Sequence, residues 1–221
     1  MIKNMKALVI GATGATGKDL VAQLLKDSDY DEVNVFVRKP LTINDTKLKT
    51  HIVNFDQPED WKDLVKGDVA FSCLGTTLKA AGSKEVQRKV DYDYQYNFAK
   101  AAKENDVEDF VLVSSYGANP KSKLFYSRMK GELEQSIKAL HFNKLMIFQP
   151  GMLERKYSER TGEVLGGKII KFANKFGILT QQKPLPTSVL AQAMINSSKI
   201  KSSGYSKIKL GSIFSFAKKN M

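Results

Sequence analysis

A single cysteine, Cys73, and two histidines, His51 and His141, are all that this 221-residue chain offers toward disulfides or soft-metal chemistry. One thiol cannot close an internal disulfide, and two isolated histidines lack ligand spacing, so neither a disulfide framework nor a metal site is expected. No apolar run approaches the roughly 20 residues needed to cross a bilayer; Gly, Lys or Ser interrupts each one within a few positions. No membrane span is expected. The opening MIKNMKALVIGATG enters a short apolar strand instead of a charged segment followed by a long apolar one, which together with the lone thiol points to the cytoplasm.

Acidic side chains are scarce in the last third. Residues 141–221 hold 14 Lys and Arg against 3 Asp and Glu, whereas residues 1–140 hold 21 against 20. The final third thus carries +11 of a net +12. Such asymmetry favours an anionic partner, a charged small molecule among them, or is the solvated lysine-rich face of a basic protein. Nucleic acid is not expected, because no base-stacking aromatics are interleaved with the basic residues and no reading motif is present.

What is present is ordinary for a folded α/β chain: 42% apolar and 26% charged residues, enough for one continuous core over residues 1–221. Short apolar runs at residues 6–10, 33–37, 51–55, 69–74, 110–114 and 144–148 read as strands, and helical spacing marks 18–26, 58–66, 83–105 and 126–140 between them. This alternation predicts a doubly wound parallel sheet, the Rossmann arrangement, with ligands at the carboxyl ends of its strands. Beyond residue 151 the pattern loosens. A polar loop, a helix near 164–176, a Pro-rich turn at 183–186 and a helix near 188–197 suggest a small substrate-side cap over residues 152–186. Lys168, Lys171 and Lys175 stand opposite Ile169, Ile170, Phe172 and Phe176, a pattern that fits a packed cap helix or a helix touching a membrane or partner. Tyr92, Tyr94, Tyr96 and Phe98, two apart on a helix, spread between core and surface.

Three motifs carry chemistry. Gly11, Gly14 and Gly17 in GATGATG lie between a predicted strand and a predicted helix, where glycine lets backbone approach a pyrophosphate closely and turn sharply onto helix N-terminal amides. About twenty residues on, where NAD-specific folds place an acid for the ribose, the chain reads Val37-Arg38-Lys39. A guanidinium clamps a 2′-phosphate that a carboxylate would repel, so NADP(H) is favoured over NAD(H), unless the two cations merely end a strand in solvent. Tyr126 and Lys130, at i and i+4, project from one helix face; a neighbouring ammonium lowers a phenol's pKa and readies it for acid–base work on a carbonyl or alcohol. Ser114 and Ser115 end the preceding strand and could hydrogen-bond a substrate oxygen or local backbone.

In this order, the motifs resemble the atypical short-chain dehydrogenase/reductases, in the branch of the Tat-interacting proteins and their bacterial relatives. GATGATGK, Val53-Asn54-Phe55-Asp56, Cys73-Leu74-Gly75-Thr76-Thr77, Val113-Ser114-Ser115, Tyr126-x-x-x-Lys130-Gly131-Glu132 and Phe148-Gln149-Pro150-Gly151 carry the likeness over almost the whole chain. The resemblance implies Thr13, Gly14, Ala15 and Thr16 at the phosphates and Arg38 and Lys39 at the 2′-phosphate. It puts Asp56 near the adenine, Leu74 and Gly75 beside a ribose, and Pro150 at a cofactor-side strand end. Tyr126 becomes the acid/base, Lys130 the holder of the nicotinamide ribose, and Leu153 and Arg160 close over the cofactor. Two departures stand out: Tyr116 occupies what looks like the place of a third serine in the longer sugar-nucleotide epimerases, and only about 70 residues follow Gly151, so a small substrate or none is implied. The expectation is an NADP(H)-dependent oxidoreductase for a small carbonyl or alcohol. Its alternative is a non-catalytic NADP(H) sensor acting through a protein partner, with monomer and homodimer both open.

Overall fold

Strands covered on both faces must be apolar almost throughout, and the runs around residues 7–10, 33–37, 69–72, 110–112 and 145–148 meet that condition. The structure, a computed structural model, describes residues 4–154 and 184–218. In chain order the elements are β1 (Met5–Ile10), α1 (Ala15–Lys26), β2 (Tyr30–Val37), β3 (Leu48–Ile52), β4 (Val69–Ser72), α2 (Leu78–Ala81), α3 (Lys84–Arg88), α4 (Tyr94–Glu104), β5 (Asp109–Val113), α5 (Phe125–Lys138), β6 (Lys144–Gln149), β7 (Leu153–Glu154), β8 (Leu185–Pro186), α6 (Thr187–Ser198), β9 (Gly204–Lys209) and α7 (Gly211–Lys218). A single sheet runs β3-β2-β1-β4-β5-β6-β9 with every pairing parallel. This is the expected doubly wound Rossmann fold. Strand order reverses between β1 and β4, so the crevice for a ligand opens at their carboxyl ends.

Period-two alternation divides the core between the two faces. Ala7 and Val9 point with Val33, Val35, Val111 and Phe148 toward Leu20, Leu24, Leu190 and Met194. Leu8 and Ile10 point with Phe36, Phe110, Leu112 and Ile147 toward Phe98, Ala102, Leu133 and Ile137. Each fully buried Leu or Phe contributes about 1.5–3 kcal/mol, so the strand ends that carry the site are anchored from both sides.

The structure departs from the sequence reading at several elements: the strand expected over 51–55 is β3, Leu48–Ile52, and the short helix α2, Leu78–Ala81, was not expected. The helix expected over 83–105 is broken into α3 and α4 by a π-helical turn, Lys89–Asp93. The helix expected at 58–66 is two 3-10 turns, Pro58–Asp60 and Lys62–Leu64, around the buried Trp61. A seventh strand, β9, and the helix α7 follow α6 where no element was foreseen. Of the expected cap, β7 and β8 pair Leu153 with Leu185; residues 155–183, with the helix expected near 164–176 and Arg160, lie outside the described residues.

Candidate cofactor and active site

β1 ends at Gly11, which takes φ +84°, and a Cβ there would stand 2.6 Å from both Cys73 C and Leu74 N. On Gly17 a Cβ would come within 2.1 Å of Gly11 O. These two glycines let the turn nest against the end of β4 and against α1. Gly14 caps α1 without a side-chain cap hydrogen bond, and no acidic residue stands in the first turn. Thr13 and Gly14 are exposed and Ala15 half-buried, while Thr16 packs inward. Uncapped amides at a helix start, with the positive end of its dipole, form an anion cradle at the sheet's crevice.

Arg38 and Lys39 follow β2 directly and are exposed. Nearby, Asp56 accepts from Tyr94 Oη at 2.6 Å and pairs with Lys89 Nζ at 2.8 Å. Lys89 first and Tyr94 second hold its carboxyl below the usual range. Burial and the Asp56 carboxylate push the Tyr94 phenol up to about 12, with Arg38 pulling the other way. Arg38, Lys89, Tyr94 and Asp56 therefore share one electrostatic neighbourhood, with Phe55 against the Tyr94 ring at 5.3 Å. Lys89 and Tyr94 were not foreseen as site residues; both belong to the region where the π turn resets helix register.

At the other end, Tyr126 and Lys130 share a face of α5 but part in depth: Tyr126 is 39% exposed and Lys130 1%. Lys130 Nζ lies 3.4 Å from Val113 O and 3.9 Å from Asp91 Oδ1. The expected lowering of the Tyr126 pKa is reversed. Burial of the phenol and the charge of Asp91 push it up to about 12, against a hydrogen bond from Ser115, because the Lys130 ammonium is drawn inward to Asp91 and a carbonyl. Burial in turn pushes Lys130 down, opposed by Asp91 and Glu134.

Ser114 needs a second correction. It is buried and donates to Glu134 Oε1, which also accepts from Gln149 Nε2 at 2.7 Å, while Glu134 Oε2 pairs with Lys207 Nζ at 2.7 Å. The reason is strand alternation, since Phe110, Leu112 and Ser114 all face α5, so Ser114 is turned into the core. Ser115, half-buried, is the serine beside Tyr126.

The loop after β5 docks on α5 at Gly131, where a Cβ would stand 2.3 Å from Pro120 N, and Asn119 N donates to Ser127 O at 2.9 Å. Tyr116 and Leu124 are exposed on this loop. Leu74 is half-buried and Gly75 exposed at the end of β4; Pro150 is buried, its carbonyl accepting from Tyr116 N at 2.9 Å. Leu153 is half-buried on β7. Burial pushes the Cys73 thiol up to about 12, so it offers no nucleophile at neutral pH. Among the described residues no group of three or more His, Cys, Asp or Glu side chains could hold a metal, and no helix is long and apolar enough to cross a membrane.

A glycine turn nested at the β1/β4 reversal, opening onto uncapped helix amides, defines a dinucleotide-binding Rossmann protein. The NAD(P)H-binding family profile matches residues 11–169, and the chain belongs to that family. Rat protein HTATIP2 is 33% identical over 205 residues, covering 88% of this chain and 81% of its own. The mitochondrial protein FMP52-1 of Scheffersomyces stipitis is 32% identical over 199 residues, 87% of each chain. MoeE5 in complex with UDP-glucuronic acid and NAD superimposes with a TM-score of 0.72 over 93% of this chain and 76% of that one, at 17% identity, and shares the fold. The resemblance to atypical short-chain dehydrogenase/reductases is borne out. The expectation of a cytoplasmic protein is not: the fungal FMP52 relatives are mitochondrial by name. A lone cysteine argues for a reducing environment, which does not single out the cytoplasm.

Proposed function

We propose that the protein is an NADP(H)-dependent oxidoreductase interconverting a small carbonyl and its alcohol. The observation that carries this reading is Tyr126, a partly exposed residue whose hydroxyl lies by Ser115, with the buried Lys130 one helical turn along the same helix. When bound, the nicotinamide supplies or takes up hydride. Tyr126, protonated at neutral pH, gives its proton to the carbonyl oxygen in reduction and must lose it before serving alcohol oxidation. Ser115 orients the same oxygen, and Lys130 holds the nicotinamide ribose. Thr13, Gly14, Ala15 and Thr16 bind the pyrophosphate and Asp56 lies by the adenine. Leu74 and Gly75 flank a ribose, and Pro150 and Leu153 line the cofactor. Arg38 and Lys39 take the 2′-phosphate, which selects NADP(H). The basic final third suits an anionic substrate.

Titration with NADPH and with NADH, read by nicotinamide fluorescence, tests the cofactor assignment. NADPH is expected to bind at least about tenfold tighter, about 1.4 kcal/mol. Replacing Arg38 and Lys39 together by Ala should bring the two affinities within about threefold, under about 1 kcal/mol. Equal affinities in the unaltered protein would overturn the NADP(H) assignment. A panel of small aldehydes, ketones and quinones then tests catalysis. NADPH binding with no oxidation by any of them would favour the sensor alternative, for which the exposed Tyr116 and Leu124 offer contacts to a protein partner.

A further inference from the structure

Gln87, Asp91 and Gln95 lie one helical turn apart and are all buried, forming a polar stripe that runs from α3 through the π turn into α4. The stripe props the loop that leaves β4. Gln87 Nε2 donates to Thr76 O at 3.4 Å, Asp91 Oδ2 accepts from Thr76 N at 2.8 Å, and Gln95 bridges Ser72 Oγ at 2.8 Å and Asp91 O at 2.7 Å. Every polar atom of this set named here has a partner. Asp91 Oδ1 is the exception: the residue is wholly buried and that oxygen has no hydrogen-bond partner among the described residues. A buried carboxylate oxygen without a donor is costly unless a cation answers it. Lys130 Nζ, 3.9 Å away, is within ion-pair range but beyond hydrogen-bonding distance, and Oδ1 also lies 3.5 Å from where a Cβ on Gly75 would stand. Oδ1 thus sits beneath the gap between Gly75 and Lys130.

We infer that Asp91 is the positioning residue of this site: its free oxygen is the counter-ion that keeps the fully buried Lys130 an ammonium, facing the place where the cofactor's nicotinamide ribose binds. Without a carboxylate beside it, burial drives a lysine to shed its proton. The groups facing Lys130 are Asp91 from the π turn, Glu134 from its own helix, and the Val113 carbonyl from β5. Glu134 has its charge answered by Lys207 and its other oxygen filled by Ser114 and Gln149. Among the described residues Asp91 has no other cation paired to it, so Lys130 depends on it more than on Glu134.

Asp91→Asn is the discriminating variant, because an amide oxygen still accepts from Thr76 N and only the charge is lost. With 13C-labelled lysine, the Lys130 Cε signal, assigned through Lys130→Arg, is followed against pH in the cofactor-free protein. Asp91→Asn should lose the ammonium at least about one pH unit below the unaltered protein. Identical titration in both would overturn the inference. Should Asp91→Asn fail to fold, Lys130→Met gives the reciprocal reading: the Asp91 carboxyl should then titrate at least about one unit higher, and an unmoved carboxyl would overturn the pairing. Asp91→Glu should restore the lysine titration. The cofactor arm rests on the proposed role of Lys130. Between about pH 7 and about pH 9, NADPH affinity in Asp91→Asn should weaken severalfold more than that of the unaltered protein. If the unaltered protein binds no NADPH, the proposed function fails while the lysine titration still decides the pairing.

Discussion

Gly11→Ala should cost the protein its dinucleotide site and much of its stability. The native backbone holds φ +84° at this position, which costs an L-residue roughly 1–2 kcal/mol. The new Cβ would also meet Cys73 C and Leu74 N at 2.6 Å. Both are backbone atoms at the end of a central strand and have no rotamer by which to retreat, and overpacking of this kind adds about 1–3 kcal/mol. The expected loss is about 2–5 kcal/mol in denaturant unfolding, with NADPH affinity falling more than about a hundredfold, about 2.7 kcal/mol. Gly14→Ala supplies the contrast. Its Cβ would lie 3.3 Å from Gly11 O with no positive φ, so the stability loss should stay near 1 kcal/mol, the usual scale of a cap change. Unaltered stability and affinity in Gly11→Ala would mean that the turn can relax, and the close nesting of β1 on β4 would not be what shapes the site.

The central strands and the glycine turn were readable because burial on both faces leaves no room for polar residues, and because a chain that must turn at +84° against another backbone admits little but glycine. β9 was not readable for the opposite reason. Its GYSKIK has one buried position, Ile208, so an edge strand looks like a polar loop until β6 is there to pair with it. Ser114 was within reach, since counting by twos from Phe110 and Leu112 turns it toward α5. The Tyr126/Lys130 spacing fixed a shared helix face and said nothing of depth, and depth decides the chemistry here: Lys130 is buried and answers Asp91. Asp91 itself left a faint mark, the four-residue spacing of Gln87, Asp91 and Gln95 leading into buried Phe98, Ala99 and Ala102. A polar stripe that continues an apolar one on the same helix face signals a buried polar network, and the alternating tyrosines beside it drew attention away.

Tyr126→Phe separates chemistry from binding. The substitution removes one hydroxyl from a ring that is 39% exposed, so stability should change by no more than about 0.5 kcal/mol and NADPH affinity by less than about threefold, under about 1 kcal/mol. Carbonyl turnover should fall by about 10²–10⁴, the range spanned by loss of a positioned general acid. Rate against pH gives an independent sign. With the phenol held up at about 12 by burial and by Asp91, the acid form dominates through neutrality, so carbonyl reduction should run flat from about pH 6 to about pH 9. Alcohol oxidation needs the tyrosinate. Its fraction rises about tenfold per pH unit below the pKa, so oxidation should climb across the same interval and the climb should vanish in Tyr126→Phe. Unchanged turnover in the variant, or oxidation that is flat with pH in the unaltered protein, would remove Tyr126 from the chemistry.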